Sequence, residues 1–453
     1  MISPPPQLTQ PLARDARQHL GAGGLLKPGD HRTPFQTDRD RLLYSAAFRR
    51  LAQVTQVVGT NEGHVFHNRL THSLKVAQVA RRLAEKLVVI QSDIVDKLGG
   101  IDPDVAEAAA LAHDLGHPPF GHIAEVELDE CARRAGLPDG FEGNAQSFRI
   151  LTQLDVHRLE YPGLNLTRAT LNAVLKYPWL RDRTGNASRK WRKFSVYDLD
   201  QPALEFVRGD QPDERQTAEA SIMDFADDVT YSVHDFEDFY LAGLIPLELL
   251  AHNTDEFDRF VQDWQTEHPN NTWAKQVDQE RKKFQRFLDT TYNISGKYAA
   301  GSQESRAHVQ RVSSYLIQKY VNSVELRTDY GSDGYLHRQP EAAAELRFLQ
   351  RIVWHYVIAN ARLALHKYGQ RRIVRTLLEF YLEAVETGQQ NLLLSQYVRR
   401  YCVLQERGVQ NQDISLELKR MAVDIVAGFS EMEAVQIYRR LMGITQGSVV
   451  DNF

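Results

Sequence analysis

The stretch ALAHDLGHPPFGH, residues 110–122, packs His113, Asp114, His117 and His122 among glycines and prolines. Imidazole nitrogens and carboxylate oxygens suit a borderline to hard divalent cation. His113-Asp114 alone is weak, because a buried histidine satisfied by a neighbouring aspartate is an ordinary core feature. Two other stretches strengthen it. His72 shares a helical face with the apolar Val76, Val79 and Leu83. A polar group on a core face costs free energy unless it has a partner. Further on, SIMDFADDVTYSVHDFED (221–238) spaces Asp227, Tyr231 and Asp235 along one side of a helix. Buried carboxylates at this density need a cation or a donor network, although the interleaved Ile222, Phe225 and Val229 could equally be that helix's core side. A histidine, a His-Asp pair and an aspartate make a workable metal set. Four protein ligands leave room for water and substrate only on a five- or six-coordinate ion, which favours a catalytic over a closed structural site.

Helices must position these groups. Residues 38–57, DRDRLLYSAAFRRLAQVTQV, read as helix, with VGTNEGH after it as a turn or short hairpin. NRLTHSLKVAQVARRLAEKLVVIQ is the clearest helix. In GGIDPDVAEAAALAHDLGH, Asp102 is a candidate N-cap, Pro103 suits the first turn, and Asp104 and Glu107 favour the positive helix start. Gly116 and Pro118-Pro119 then stop it, and another helix starts near Gly121. Further helices are expected over roughly 144–156, 167–176, 216–241, 247–265, 272–292, 305–325, 341–367, 371–386, 389–407 and 415–443. KFSVYDLD is the best strand candidate. The expectation is an all-α fold with few or no strands.

With 453 residues, 42% hydrophobic and 25% charged, the chain can bury a full core. A net charge of −5 argues against a nonspecific nucleic-acid coat. The basic segment RDRTGNASRKWRKF (181–194) is either a solvated loop or a polyanion contact. Cys131 and Cys402 are the only cysteines, so neither a disulfide framework nor a thiolate cage is expected, and a reducing, cytoplasmic setting is the simplest reading. No secretory signal or transmembrane run is read.

His72, His113-Asp114 and Asp227 resemble the H…HD…D signature of HD-domain metal-dependent phosphohydrolases. DRDRLLYSAAFRRLAQVTQV, HNRLTHSLKVAQVAR, LAHDLGHPPFGHIAE, FEGNAQSFRIL, LKYPW and ADDVTYSVHDFED resemble, in order, the blocks of the bacterial deoxyguanosine triphosphate triphosphohydrolases, and WRKFSVY also resembles a segment of that family. Residues 1–37, rich in Pro and Gly, read as an N-terminal arm with little regular structure. The resemblance implies an HD core over 38–245 with the basic loop 181–194, and an associated C-terminal helical region over 246–453. It implies hydrolysis of dGTP or another dNTP to deoxynucleoside and tripolyphosphate. It also implies one divalent ion per site, Mg²⁺ or Mn²⁺ first, then Fe²⁺, Co²⁺, Ni²⁺ or Zn²⁺.

By the same resemblance His72, His113, Asp114 and Asp227 hold the metal, with Asp228 the runner-up for Asp227. His122 is the catalytic histidine, Glu125 orients it or manages its proton, and His117 contacts phosphate. Arg69 reaches a phosphate, Gln56 and Val57 meet the sugar, and Tyr231 and Asp235 stack on it and accept its 3′-OH. Glu142 and Asn144 support, and Arg311 is a further phosphate candidate. A homo-oligomer is implied, and a nucleotide effector or single-stranded DNA at the basic loop stays open. The alternatives are an HD phosphohydrolase for another nucleotide or phosphoester, and a single-stranded nucleic-acid-binding regulatory module with a residual metal site.

Overall fold

The computed structural model describes residues 13–19, 29–55, 68–184, 189–209, 213–246, 250, 253–267, 282, 286, 303–358, 364–407 and 412–444. The chain is mostly helical. The first half runs α1 (Pro34–Tyr44), α2 (Ala46–Arg50), α3 (Arg69–Ile90), α4 (Ser92–Lys97), α5 (Pro103–Ala112), α6 (His122–Arg134), α7 (Gly143–Arg149), α8 (Arg168–Val174), the single turn α9 (Arg189–Arg192), α10 (Gln201–Arg208), α11 (Ala218–Thr230) and α12 (Phe236–Leu241). The second half adds α13 (Thr254–Glu267), α14 (Gln303–Asn322), strands β1 (Val324–Gly331) and β2 (Gly334–Arg338), α15 (Pro340–Val353), α16 (Ala364–Glu386), α17 (Ser395–Glu406), α18 (Gln412–Ala427) and α19 (Glu431–Leu441).

Local chemistry sets the ends of the site-bearing helices. The Asp102 side chain accepts from the Asp104 amide and Pro103 opens α5, as expected. Asn68 caps α3 through the Thr71 amide. Gly121, at φ +59°, starts α6 without a side-chain cap. Helix α1 begins at Pro34, earlier than the expected residue 38, because Thr33 and Gln36 form a capping box. Ser45 then accepts from the Phe48 amide and splits the expected single helix into α1 and α2.

Two cores result. The first gathers α1, α3, α5, α8, α11 and α12 and continues through the hairpin and α15 to Val357. The second packs α6 against α16–α19. A buried ion-pair network joins them. Arg149, on α7, directs Nε to both oxygens of Asp424 at 3.0 Å and Nη1 to Asp200 at 2.8 Å. Gln146 adds a hydrogen bond to Asp424 at 3.0 Å.

Several expectations are corrected. KFSVYDLD is not a strand: Val196 makes an isolated bridge to Leu180, and residues 198–200 form a 3₁₀ turn. Phe194, Ser195, Val196 and Tyr197 are all buried, a loop wedged into the interior rather than a strand with one buried face. The antiparallel hairpin lies instead at β1–β2, and the helix expected to run to 325 ends at Asn322. The helix expected over 415–443 breaks after Ala427, where a Ser430–Glu433 capping box starts α19. The turn expected over 58–64 and most of the helix expected over 272–292 lie outside the described residues.

Asp424→Ala should leave the Arg149 guanidinium, 1% exposed, short of its main partner. The expected cost is about 3–5 kcal/mol, read as a lower midpoint in chemical denaturation. Unchanged stability would mean that the pair does not join the two cores.

Candidate metal centre and reaction cavity

Helix α5 ends at Ala112, and the chain turns through His113–Gly116 before α6 begins. Several groups hold that turn. Ser147 Oγ accepts from the Gly116 amide at 2.8 Å and donates to the His113 carbonyl at 3.0 Å. Arg50 donates to the carbonyls of Leu115 and His117 at 2.7 and 2.8 Å. Burial pulls the Arg50 pKa down to about 10. Gly116 has no alternative, since a methyl there would overlap the Gly143 carbonyl oxygen and the Ser147 nitrogen.

His113, Asp114, His72 and Asp227 converge. His72 Nε2 lies 3.1 Å from Asp227 Oδ1, and His113 Nε2 lies 3.6 Å from the same oxygen and 3.5 Å from Asp114 Oδ1. One donor atom each from His72, His113 and Asp114 falls within 4.8 Å of the others. Donors sharing an ion at about 2.0–2.2 Å sit at such separations from one another. The chemistry fits too. His113 Nδ1 lies 2.6 Å from the Ala110 carbonyl oxygen, which can only accept. The proton is therefore on Nδ1, and Nε2 turns a lone pair into the site. That Nε2 is buried and has no hydrogen-bond partner.

Charge favours the ligand forms. Burial alone would raise the Asp114 carboxyl, but Arg69, His113 and His117 hold it well below its usual range. Asp227 is likewise held low against burial, chiefly by Lys176 and then His113. Arg69 Nη1 reaches Asp114 Oδ2 at 2.7 Å, and Lys176 Nζ reaches Asp227 Oδ2 at 3.2 Å. In each carboxylate one oxygen is tethered and the other faces the histidines. Asp228 turns away to Arg338 on β2 at 2.7 Å, so it is Asp227 that meets His72.

A cavity of about 700 Å³ opens over this centre. Arg69, His113, Asp114, His117, His122, Asn144, Asp227 and Tyr231 line it. His122 is 73% exposed, with Nδ1 2.6 Å from Glu125 Oε2. Glu125 is buried. Burial would raise its carboxyl, but the His122 hydrogen bond and neighbouring cations hold it well below the usual range. The Gly143 amide fixes the other Glu125 oxygen at 2.9 Å. His117 Nδ1 lies 3.0 Å from Asp114 Oδ1, and burial followed by Arg69 lowers its pKa. Glu142 caps α7 and pairs with Lys193 at 2.9 Å.

Other expected contacts fall differently. Tyr231 and Asp235 lie on a π-helical turn, Tyr231–Asp235, that continues α11. Such turns re-register side chains and recur at functional sites. Tyr231 faces the cavity, whereas Asp235 is buried and outside its lining, with Oδ2 unpaired. Gln56 and Val57 lie outside the described residues. Arg311 sits exposed on α14, outside the lining. In the basic loop, Arg181 pairs with Asp129, Arg183 with Asp198 and Lys190 with Glu214. Lys193 alone of the loop's cations reaches the cavity.

Residue spacing missed Lys176, Arg347, Gln350, Arg351, Trp354 and Lys367, all in the lining. Lys176 sits in LKYPW, a block that resembles the family without pointing to a role for any one residue. The others come from α15, the turn after it and the start of α16, which no local pattern connects to His113.

Residues 69–232 match the HD domain, and residues 336–440 match the Phosphohydrolase-associated domain. A deoxyguanosinetriphosphate triphosphohydrolase-like protein of Streptomyces coelicolor is 38% identical over 441 residues, 92% of this chain and 94% of its own. One from Corynebacterium efficiens is 34% identical over 435 residues, 92% of this chain and 93% of its own. One from Shewanella loihica is 29% identical over 463 residues, 94% of this chain and 96% of its own.

Asp114→Ala should abolish Mn²⁺ binding in calorimetry while Asp228→Ala keeps it; the reverse would move the centre. Asp235 gives a second outcome. Burial, then Asp238 and Asp227, raises its carboxyl well above the usual range. A raised folded pKa costs stability wherever the group is ionised, and the cost fades as pH falls through that pKa. Asp235→Asn should therefore stabilise the metal-free protein by about 1–2 kcal/mol near neutral pH. The gain should shrink on acidification in denaturation curves taken across pH.

Proposed function

The chain belongs to the deoxyguanosinetriphosphate triphosphohydrolase-like family of HD-domain phosphohydrolases, and from that premise we propose that it hydrolyses deoxynucleoside triphosphates to deoxynucleoside and tripolyphosphate. The observation that carries the reading is one cavity holding the His72–His113–Asp114–Asp227 cluster beside the His122–Glu125 pair and a ring of cations. A triphosphate needs such charge. Arg69, Lys176, Lys193, Arg347, Arg351 and Lys367 supply it from both halves of the chain.

Mg²⁺ or Mn²⁺ bound at the cluster would polarise an α-phosphate oxygen and lower the pKa of a coordinated water. The remaining work belongs to side chains. Water adds at the α-phosphorus, releasing one proton to solvent, as the bond to the 5′ oxygen breaks. His122 Nε2 gives its proton to that oxygen, leaving a neutral hydroxyl on the deoxynucleoside. Glu125, ionised and buried, holds His122 through Nδ1 and offsets the imidazolium charge before transfer. His117 stays neutral beside Asp114 and contacts phosphate. Tyr231 presents a ring to the sugar.

A panel of the four dNTPs, singly and mixed, with Mg²⁺ or Mn²⁺ and product identification tests the reading. Tripolyphosphate and deoxynucleoside are expected; pyrophosphate or orthophosphate as first product would reject it. His122→Ala should lower kcat about 10²–10⁴-fold.

A further inference from the structure

Helix α6 starts on backbone that its own sequence does not favour. Phe120 sits at φ +68°, where a bulky side chain is strained, and Gly121 follows at φ +59°. No side chain caps the helix, of which His122 is the first residue. Within the turn the Gly121 amide reaches the Pro118 carbonyl at 3.1 Å. The Phe120 amide is held from the far end of the chain, by Glu431.

We propose that Glu431 is a positioning residue for the reaction, setting the distance between His122 and the metal-bearing helix α3. One of its oxygens, Oε1, accepts from the Phe120 amide at 3.2 Å and from the Thr55 amide at 2.9 Å. Thr55 belongs to the backbone that fastens α3. It bridges to Asn68, the N-cap of that helix, and the Arg69 amide donates to the Val54 carbonyl at 3.1 Å. A single oxygen thus ties the start of the His72 helix to the start of the His122 helix. Thr55, Phe120 and His122 line the reaction cavity and Glu431 does not, so it acts through them.

Glu431 is itself well anchored. It is the first residue of α19, whose backbone the Ser430–Glu433 capping box fixes, and a carboxylate is favoured at a helix start. Just before it, the Phe429 carbonyl accepts from Arg50 Nη1 at 3.0 Å, and Nη2 of the same guanidinium holds the Leu115 and His117 carbonyls. The corner between α18 and α19 therefore grips the turn before His122 from both ends. That corner lies in the stretch matching the Phosphohydrolase-associated domain, which gives that region a part in the chemistry. Proton transfer needs hydrogen-bond reach, and a displacement of about 1 Å can cost about 10²-fold in rate.

The inference rests on His122 acting as the proton donor. Glu431→Ala, Glu431→Gln and Glu431→Asp test it in the full-length, metal-loaded protein. Glu431→Ala should lower kcat about 10–100-fold, with KM and Mn²⁺ affinity within about threefold of wild type. Glutamine keeps an acceptor oxygen at the same reach and should restore most of kcat. Aspartate keeps the charge but is one methylene too short, and should behave like alanine. Hydrogen exchange of the 115–125 peptide should quicken in the alanine and aspartate variants and not in the glutamine variant. In the double variant His122→Ala/Glu431→Ala, turnover should be no slower than in His122→Ala alone. If Glu431→Ala does not fold, the glutamine–aspartate comparison decides. Wild-type kcat in Glu431→Ala, aspartate outperforming glutamine, or multiplying losses in the double variant would overturn the inference while leaving the His122 role intact. Full turnover by His122→Ala would refute that role and this inference with it.

Discussion

The reaction centre depends on a backbone approach with no room for a side chain. Gly116 lies so close to Gly143 and Ser147 that a single methyl would collide with α7. That contact lets the chain leave α5 at His113-Asp114 and still dock on α7. Ser147 then ties both ends of the turn, and Arg50 takes the outward carbonyls of Leu115 and His117. A second glycine repeats the device, because a methyl at Gly143 would come within 2.7 Å of Glu125 Oε1. The His113–Gly116 turn and the His122–Glu125 pair thus rest on the same short helix.

The second half of the chain is part of the site rather than an appendage. Glu431, on α19, accepts from the amides of Thr55 and Phe120 at 2.9 and 3.2 Å. Phe120 has a left-handed backbone, φ +68°, immediately before Gly121 at +59°. Such a conformation persists when surrounding contacts over-determine it, and the Glu431 carboxylate, from the far end of the chain, does so here. Arg347, Gln350, Arg351 and Trp354 close the cavity from α15 and the turn after it. The buried Arg149–Asp424 pair keeps the two cores in register, so cations from one half can face ligands from the other.

Local rules made much of the first half legible. The apolar face of α3 put His72 inside, the Asp102–Pro103 start placed α5, and the glycine-proline run ended it. These signals lie within one or two turns of the residue they position. The hairpin was not legible for a physical reason. In VELRTDYG buried and exposed positions alternate only at the start, and its charged outer residues mimic a solvated helix end. The chemistry of Gly331–Gly334, with Ser332 and Asp333 between, was the available turn signal. KFSVYDLD failed in the opposite direction, since its alternating residue types belong to a wedged loop in which Phe194, Ser195, Val196 and Tyr197 are all buried. Cavity residues such as Arg347 and Lys367 carry no local pattern, because long-range packing alone gives them their neighbours.

The choice between Asp227 and Asp228 shows where spacing stops and packing decides. Adjacent helical positions differ by about 100° around the axis, so only one can face α3. The resemblance pointed to Asp227, because Tyr231 and Asp235 then follow it at the family's spacing. The π-helical turn begins at Tyr231, after Asp227, so it leaves Asp227 in place and shifts the residues beyond it. Tyr231 therefore reaches the cavity while Asp235 goes deeper, unpaired at Oδ2. Packing settles the pair independently of the register. Arg338 on β2 claims Asp228, Lys176 claims one oxygen of Asp227, and the other is left facing His72 and His113. A hairpin that the pattern of residues did not reveal thus selects the same aspartate as the spacing did.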